Sequence, residues 1–252
     1  MNKVSLIIPV FNESSHLRRF LEGIDTLELQ IEKELVIVDD CSTDESWKIL
    51  NEFSFQSSVI LTRQDTNQGK GSAIRKGIEQ ATGNIIGIQD ADFEYETGDI
   101  GSLLQPLIDN KADVVFGSRF KKSNTQVFRT FHYLINRILT FFSNLCSGLY
   151  LTDMETCYKF FSARLIKNIK LESNRFGFEP EVTAKIAKLK LRVYELPISY
   201  YPRSYLEGKK ITWRDGIAAF RHIIYYNFLV SSGKCFKPEL PEEFVPPDLN
   251  LL

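Results

Sequence analysis

The chain has 252 residues, of which 43% are hydrophobic and 25% charged, with 31 Lys and Arg against 32 Asp and Glu for a formal net charge of −1. That length suffices for one fully cored domain; the composition excludes a disordered or fibrous chain, and the charge gives no sign of a nucleic-acid partner. Four cysteines (Cys41, Cys146, Cys157, Cys235) are scattered without C-x-x-C spacing, so they read as free thiols in a reducing compartment, not as a zinc site or disulfide frame.

Strand and helix signals alternate through the first half. Val4-Ser5-Leu6-Ile7-Ile8 is a β-branched run closed by Pro9, and a polar helix follows from about Ser14. The polar Asn12-Glu13-Ser14-Ser15, with no small-residue cleavage pattern, makes this run a buried strand and not a signal-peptide core. Leu35-Val36-Ile37-Val38 ends in Asp39-Asp40, after which Thr43 or Asp44 can cap a helix. Val59-Ile60-Leu61 leads into the loop Asn67-Gln68-Gly69-Lys70-Gly71 and a helix to Ala81. Ile85-Ile86-Gly87-Ile88 ends in Gln89-Asp90-Ala91-Asp92, and Val114-Val115-Phe116 ends in Gly117-Ser118-Arg119. Apolar strands alternating with helices imply an α/β fold with a mostly parallel sheet flanked by helices. The polar residues follow the strand C-termini, where such sheets bind ligands.

The second half differs in texture. Phe128, Phe131, Ile135, Ile138, Phe142, Leu145 and Leu149 advance by threes and fours, the period of one apolar helical face, with Arg129, His132, Asn136, Arg137, Thr140, Ser143 and Asn144 opposite. A second amphipathic segment covers residues 213–230. Polar interruptions keep both below the roughly 18 apolar residues of a membrane span. The expected layout is a single domain over residues 1–233, with a donor-binding half (1–120) and an acceptor and membrane-interface half (121–233), then a proline-rich, disordered tail over 234–252.

Asp90-Ala91-Asp92 carries the most chemistry. Carboxylates at i and i+2 across a turn converge on one hard divalent cation, which bridges phosphates; turn chemistry alone is the competing explanation. Asp39-Asp40 is a second acidic strand end, placed to accept hydrogen bonds from a nucleobase or ribose, or simply to support a helix cap. The loop around Lys70 lacks P-loop spacing, although its glycines permit close backbone approach to a ligand.

In order, Pro9-Val10-Phe11-Asn12-Glu13, Val38-Asp39-Asp40-Cys41-Ser42-Thr43-Asp44, Asn67-Gln68-Gly69-Lys70-Gly71, Gln89-Asp90-Ala91-Asp92 and Gly117-Ser118-Arg119 resemble the inverting family 2 glycosyltransferases of GT-A fold. Within that family, the dolichyl-phosphate mannose synthase branch and its bacterial polyprenyl-phosphate relatives are the most similar. The resemblance runs from about residue 3 to 230. It implies nucleotide-sugar contacts at Pro9, Phe11, Glu13, Val38, Asp40, Lys70, Asp90, Ala91 and Arg119, and a Mg²⁺ or Mn²⁺ ion on Asp90, Asp92 and Glu94. It also implies a basic loop, Arg203 with Lys209-Lys210, that holds phosphates and shares the catalytic work with Asp90 and Asp92. Cys41 stands where the family usually has Gly, and residues 153–159 replace a Ser-Gly-Phe-Arg version.

On the acceptor side stand Glu155, Glu179, Arg129 and Arg137. A hydroxyl acceptor needs a carboxylate base, whereas a lipid phosphate does not. Both glutamates can equally pair with Lys159 or Arg175, and Asp153 can position a basic residue. The expectation is inverting transfer of a hexose, from a donor of GDP-mannose or UDP-glucose type, to a polyprenyl phosphate. It places the enzyme in the cytoplasm, peripheral on the membrane's cytoplasmic face, with a membrane protein or a second copy as further partner. The alternatives are transfer to a glycan or glycolipid hydroxyl and a sugar nucleotidyltransferase; the latter expects a glycine-rich basic loop near the N-terminus, which residues 9–15 do not offer.

Overall fold

A computed structural model describes residues 2–121, 130–202 and 213–247. Its centre is a seven-stranded sheet in the order β3-β2-β1-β4-β6-β5-β7, formed by β1 (Lys3–Val10), β2 (Glu32–Asp39), β3 (Ser58–Arg63), β4 (Ile85–Ile88), β5 (Val114–Ser118), β6 (Lys159–Ser162) and β7 (Val193–Pro197). Pairing is parallel throughout except at β6, which runs antiparallel to both β4 and β5. The mostly parallel sheet expected from the alternating signals is present. Its central strands are apolar on both faces because helices cover both sides: Leu6, Ile7, Ile8, Leu35, Val36 and Ile37 are all fully buried.

The helices in chain order are α1 (Leu17–Thr26), α2 (Ser46–Glu52), α3 (Lys70–Gln80), α4 (Ile100–Ile108), α5 (Thr130–Ser147), α6 (Ala163–Ile166), α7 (Phe178–Ile186), α8 (Trp213–Ile224) and the short α9 (Ser232–Cys235), with one π turn (Tyr225–Leu229) between the last two. α3 lies so close to β1 that a Cβ at Gly77 would come within 2.4 Å of Ile7, so only glycine permits that approach.

Two expectations are corrected. First, the apolar face expected of α5 is split, with Ile135 and Phe142 packed against the core and Ile138 and Leu145 exposed. Leu139, Thr140 and Ser143 are buried, while Leu134, Ile138, Phe141 and Leu145 form an exposed stripe. The hydroxyl of Thr140 accounts for part of this, since it receives the N–H of Met154 at 3.1 Å and needs a protein partner in the interior. Second, residues 234–247 are packed, not disordered. Cys235, Phe236, Leu240 and Phe244 are buried, Phe236 bridges Ile169, and the carbonyl of Phe244 accepts from the N–H of Lys190 at 2.9 Å. Spaced apolar residues among the prolines give this segment enough surface to dock.

Candidate functional site

The sheet brings the C-terminal ends of β1, β2 and β4 to one edge. Pro9 pairs with Val38 and Val10 with Asp39; the N–H of Asp40 reaches Val10 O at 2.8 Å and that of Gln89 reaches Ile7 O at 2.9 Å. The motifs read in the sequence therefore converge there. Val38 and Ala91 are buried backbone neighbours of the site, Phe11 and Pro9 are half-buried, and Glu13 holds the His16 ring at 2.7 Å.

Asp40 does not present open carboxylate oxygens. Its Oδ1 accepts from Gln64 Nε2 at 2.7 Å and Gln68 N at 2.8 Å, and its Oδ2 from Asn67 Nδ2 at 2.9 Å and Gly69 N at 2.7 Å. Burial nonetheless raises its pKa above the ordinary value, against those hydrogen bonds. It organises the loop carrying Lys70. Asp39 differs: Oδ2 accepts from Ser42 N and Arg63 Nε, both at 3.1 Å, while its buried Oδ1 has no partner. A carboxylate oxygen without a protein partner thus lies one residue earlier than the family pattern suggests.

The Lys70 loop is clamped from the far side. The N–H groups of Gly71 and Ser72 donate to the carbonyls of Arg175 and Asn174 at 3.2 and 3.1 Å, so the first turn of α3 is already satisfied. Lys70 reaches forward to Asp90 at 2.9 Å and to Glu179 of α7 at 3.2 Å. Burial opposes its charge, but these neighbours, Asp90 first, hold its pKa well above the ordinary lysine range.

Asp90 and Asp92 flank buried Ala91 at the end of β4. One oxygen of Asp92 receives the N–H of Glu94 at 3.0 Å, so turn chemistry is present alongside any ligand role. Glu94, the expected third metal ligand, receives the Tyr200 hydroxyl at 2.8 Å on one oxygen. Among the described residues, no three His, Cys, Asp or Glu side chains group to hold an ion by themselves. Two adjacent carboxylates still fit Mg²⁺ or Mn²⁺, which complete their shell with phosphate oxygens and water.

Arg119, expected to meet phosphate, is bound by Asp153. Its Nε and Nη2 fork onto the two carboxylate oxygens at 2.7 Å each, and its backbone N–H adds a third bond. Asp153 thus positions a basic residue, as one of the sequence alternatives had it. Arg119 also donates to Asn136 of α5 at 3.4 Å, and Arg137 reaches Thr152 O at 3.2 Å, so α5 borders the site. Glu179 pairs with Lys70 rather than Arg175. Glu155 makes no such pair: its buried Oε1 has no partner. Burial, then the charge of Glu179, push its pKa up to about 7. Thr156 enters the site unforeseen, and so does the burial of Lys159, which opens a strand and which nothing in the pattern marks as buried. Arg203, Lys209, Lys210 and Arg129 lie outside the described residues.

The family described as Glycosyl transferase family 2 matches residues 5–170. The chain is 28% identical over 214 residues to a dolichol-phosphate mannosyltransferase of Pyrococcus furiosus, covering 83% of this chain but only 60% of that protein's length. It is 30% identical over 224 residues to a dolichyl-phosphate beta-glucosyltransferase of Trichomonas vaginalis, covering 82% of this chain and 68% of that one. Among solved structures, glucosyl-3-phosphoglycerate synthase from Mycobacterium tuberculosis, in complex with Mn²⁺, UDP and glucosyl-3-phosphoglycerate, superposes with a TM-score of 0.69 at 15% identity, over 92% of this chain and 82% of that one. At that identity the likeness is one of fold, and the fold is that of a GT-A glycosyltransferase. With the family match spanning more than half of its length, the chain belongs to glycosyl transferase family 2.

Proposed function

We propose that this chain transfers a hexose from a nucleoside-diphosphate sugar to the phosphate of a polyprenyl lipid, working at a membrane surface. The observation that carries the reading is the continuity between the site and an apolar surface. α5 touches the site through Asn136 and Arg137, and the same helix exposes Leu134, Ile138, Phe141 and Leu145. Relatives whose names specify dolichyl-phosphate acceptors support the same acceptor class. Among the described residues no helix is long and apolar enough to cross a membrane, so contact would be peripheral, on the cytoplasmic face where nucleotide sugars are met.

On this reading Asp39 and the ends of β1 and β2 receive the nucleoside, and Asp90 and Asp92 hold the diphosphate through Mg²⁺ or Mn²⁺. When bound, that cation neutralises charge on the departing diphosphate. An acceptor phosphate oxygen bonds to C1 of the sugar as the C1–O bond to the diphosphate breaks, and the nucleoside diphosphate leaves. No side chain need remove a proton, because the phosphate already carries an anionic oxygen. A hydroxyl acceptor on a glycan or glycolipid is the second reading, favoured by the raised pKa of Glu155, which suits a general base. The test is a panel of UDP- and GDP-hexoses with purified polyprenyl phosphate and Mn²⁺, following labelled sugar into the organic phase. Sugar in that phase supports the proposal; nucleoside diphosphate release that depends on a glycan hydroxyl, with none in lipid, rejects it.

A further inference from the structure

Residues 153–159 form a loop held from every side. Asp153 is forked by Arg119, Met154 N donates to Thr140, and Cys157 N donates to the Tyr95 hydroxyl at 3.1 Å. The fully buried Lys159 ammonium donates to the carbonyls of Met154, at 2.9 Å, and Thr156. Inside this loop side-chain oxygens of two consecutive residues, Glu155 Oε1 and Thr156 Oγ1, are buried without a hydrogen-bond partner. Thr156 itself is fully buried. Folded proteins seldom leave such atoms unsatisfied, and beside a binding site they point to a ligand's polar groups.

Charge decides what kind of ligand. Three cations surround the loop (Lys70, Arg119 and Lys159), and three carboxylates besides Glu155 face them (Asp90, Glu179 and Asp153). Glu155 is the surplus acid, so an anion is unwelcome and a neutral hydroxyl-bearing group fits. Position decides which. Lys70 bridges Asp90 to Glu179, and Glu179 is the charge that bears most on Glu155. The loop is thus one ion pair away from the proposed diphosphate carboxylate. In a nucleoside-diphosphate sugar the ring is bonded directly to the outer phosphate.

We infer that Glu155 and Thr156 form the subsite for the ring hydroxyls of the donor hexose, and that Glu155 with Glu179 excludes sugars bearing a carboxylate. The inference rests on the nucleotide-sugar donor proposed above but not on the lipid acceptor.

Calorimetry on the full chain with Mn²⁺ separates the outcomes, using UDP-glucose against UDP and GDP-mannose against GDP. For whichever pair the wild type binds, Glu155→Ala and Thr156→Val should weaken the sugar-bearing ligand by roughly 10- to 100-fold, leaving the bare diphosphate within about twofold. UDP-glucuronate should bind the wild type no better than UDP does, and Glu155→Gln should improve it. Equal losses for sugar-bearing and bare ligands, with circular dichroism showing a native fold, would overturn the subsite. So would unchanged binding of both alongside lost turnover, which would make Glu155 a base for a hydroxyl acceptor. A wild type that binds neither nucleotide sugar defeats the donor reading itself, whereas failure of the lipid assay alone leaves the subsite result standing.

Discussion

Glu155 is a carboxyl that the free protein would rather keep neutral. Its pKa is pushed up to about 7 by burial and by Glu179, whereas in the unfolded chain it lies near the ordinary glutamate value of about 4.3. The folded state therefore binds more protons than the unfolded state between those two values, and stability contributed at low pH is lost as pH rises through about 7. Glu155→Gln removes the ionisation. The variant should match the wild type near pH 4.5 and melt several degrees higher at pH 8, on the order of 1–3 kcal/mol, as read by thermal denaturation at the two pH values. A stability gain at pH 4.5 equal to that at pH 8 would show that ionisation is not the cause. At the same scale, Asp92 is a proposed cation ligand at the end of β4, with one carboxylate oxygen on the Glu94 N–H. Asp92→Ala should leave the fold intact by circular dichroism and lower turnover at least about 100-fold. EDTA should silence the wild type. Full activity in either experiment would remove the cation from the mechanism.

The elements show why some of the fold is legible in the sequence and some is not. β1 to β5 are short β-branched runs, each followed by polar residues, and every one forms close to where the pattern puts it. β6 and β7 leave no such mark. β6 is the four residues Lys159-Phe160-Phe161-Ser162, and it begins with a lysine that a pattern reader assigns to solvent but that is fully buried on backbone carbonyls. Motif positions were legible and motif partners were not: the sequence shows Asp40 and Arg119, but not that the Lys70 loop saturates the first and Asp153 the second. Such partners come from residues 24 to 34 positions away, beyond any local period. The clamp on α3 is a further case. A Cβ at Gly71 would lie 2.2 Å from the carbonyl oxygen of Ser173, and that contact is with backbone, which cannot swing aside. Gly71→Ala should cost about 1–3 kcal/mol and displace Lys70 from Asp90. Gly23→Ala, in α1 with nothing within 4 Å of the new methyl, should hold or raise the melting temperature. Equal melting points for the two variants would mean that the clamp does not bear on stability.

At the scale of the whole molecule, the exposed apolar surface is what the proposed lipid acceptor rests on. α5 and α8 pack together through Phe142 and Phe220, whose rings lie 5.3 Å apart. Apolar side chains turn outward beyond that seam: Phe141 and Leu145 of α5 are 70% and 71% exposed, and Phe228 and Leu229, in the π turn that follows α8, 65% and 70%. A monomer in water gains nothing from such a surface. The segment is basic in sequence, because no Asp or Glu occurs between Asp113 and Asp153 while five Lys and Arg do, and of these Arg137 lies on α5 itself. Apolar residues on a basic background suit the interface of an anionic bilayer. Phe142 is the wrong residue to test, since it is half-buried against Phe220. Phe141→Asp with Leu145→Asp disrupts only the outward stripe. Each side chain removed from the interface forfeits up to about 1.5–3 kcal/mol of burial, so flotation with liposomes of mixed phosphatidylglycerol and phosphatidylcholine should fall at least about tenfold. Nucleoside-diphosphate release in detergent should stay near the wild-type rate. Raising salt should weaken the wild type's flotation as the basic residues are screened. Unchanged flotation in the double variant, or a shift from dimer to monomer by light scattering without any liposome binding in the wild type, would give this face to a second copy of the chain and detach the enzyme from the membrane.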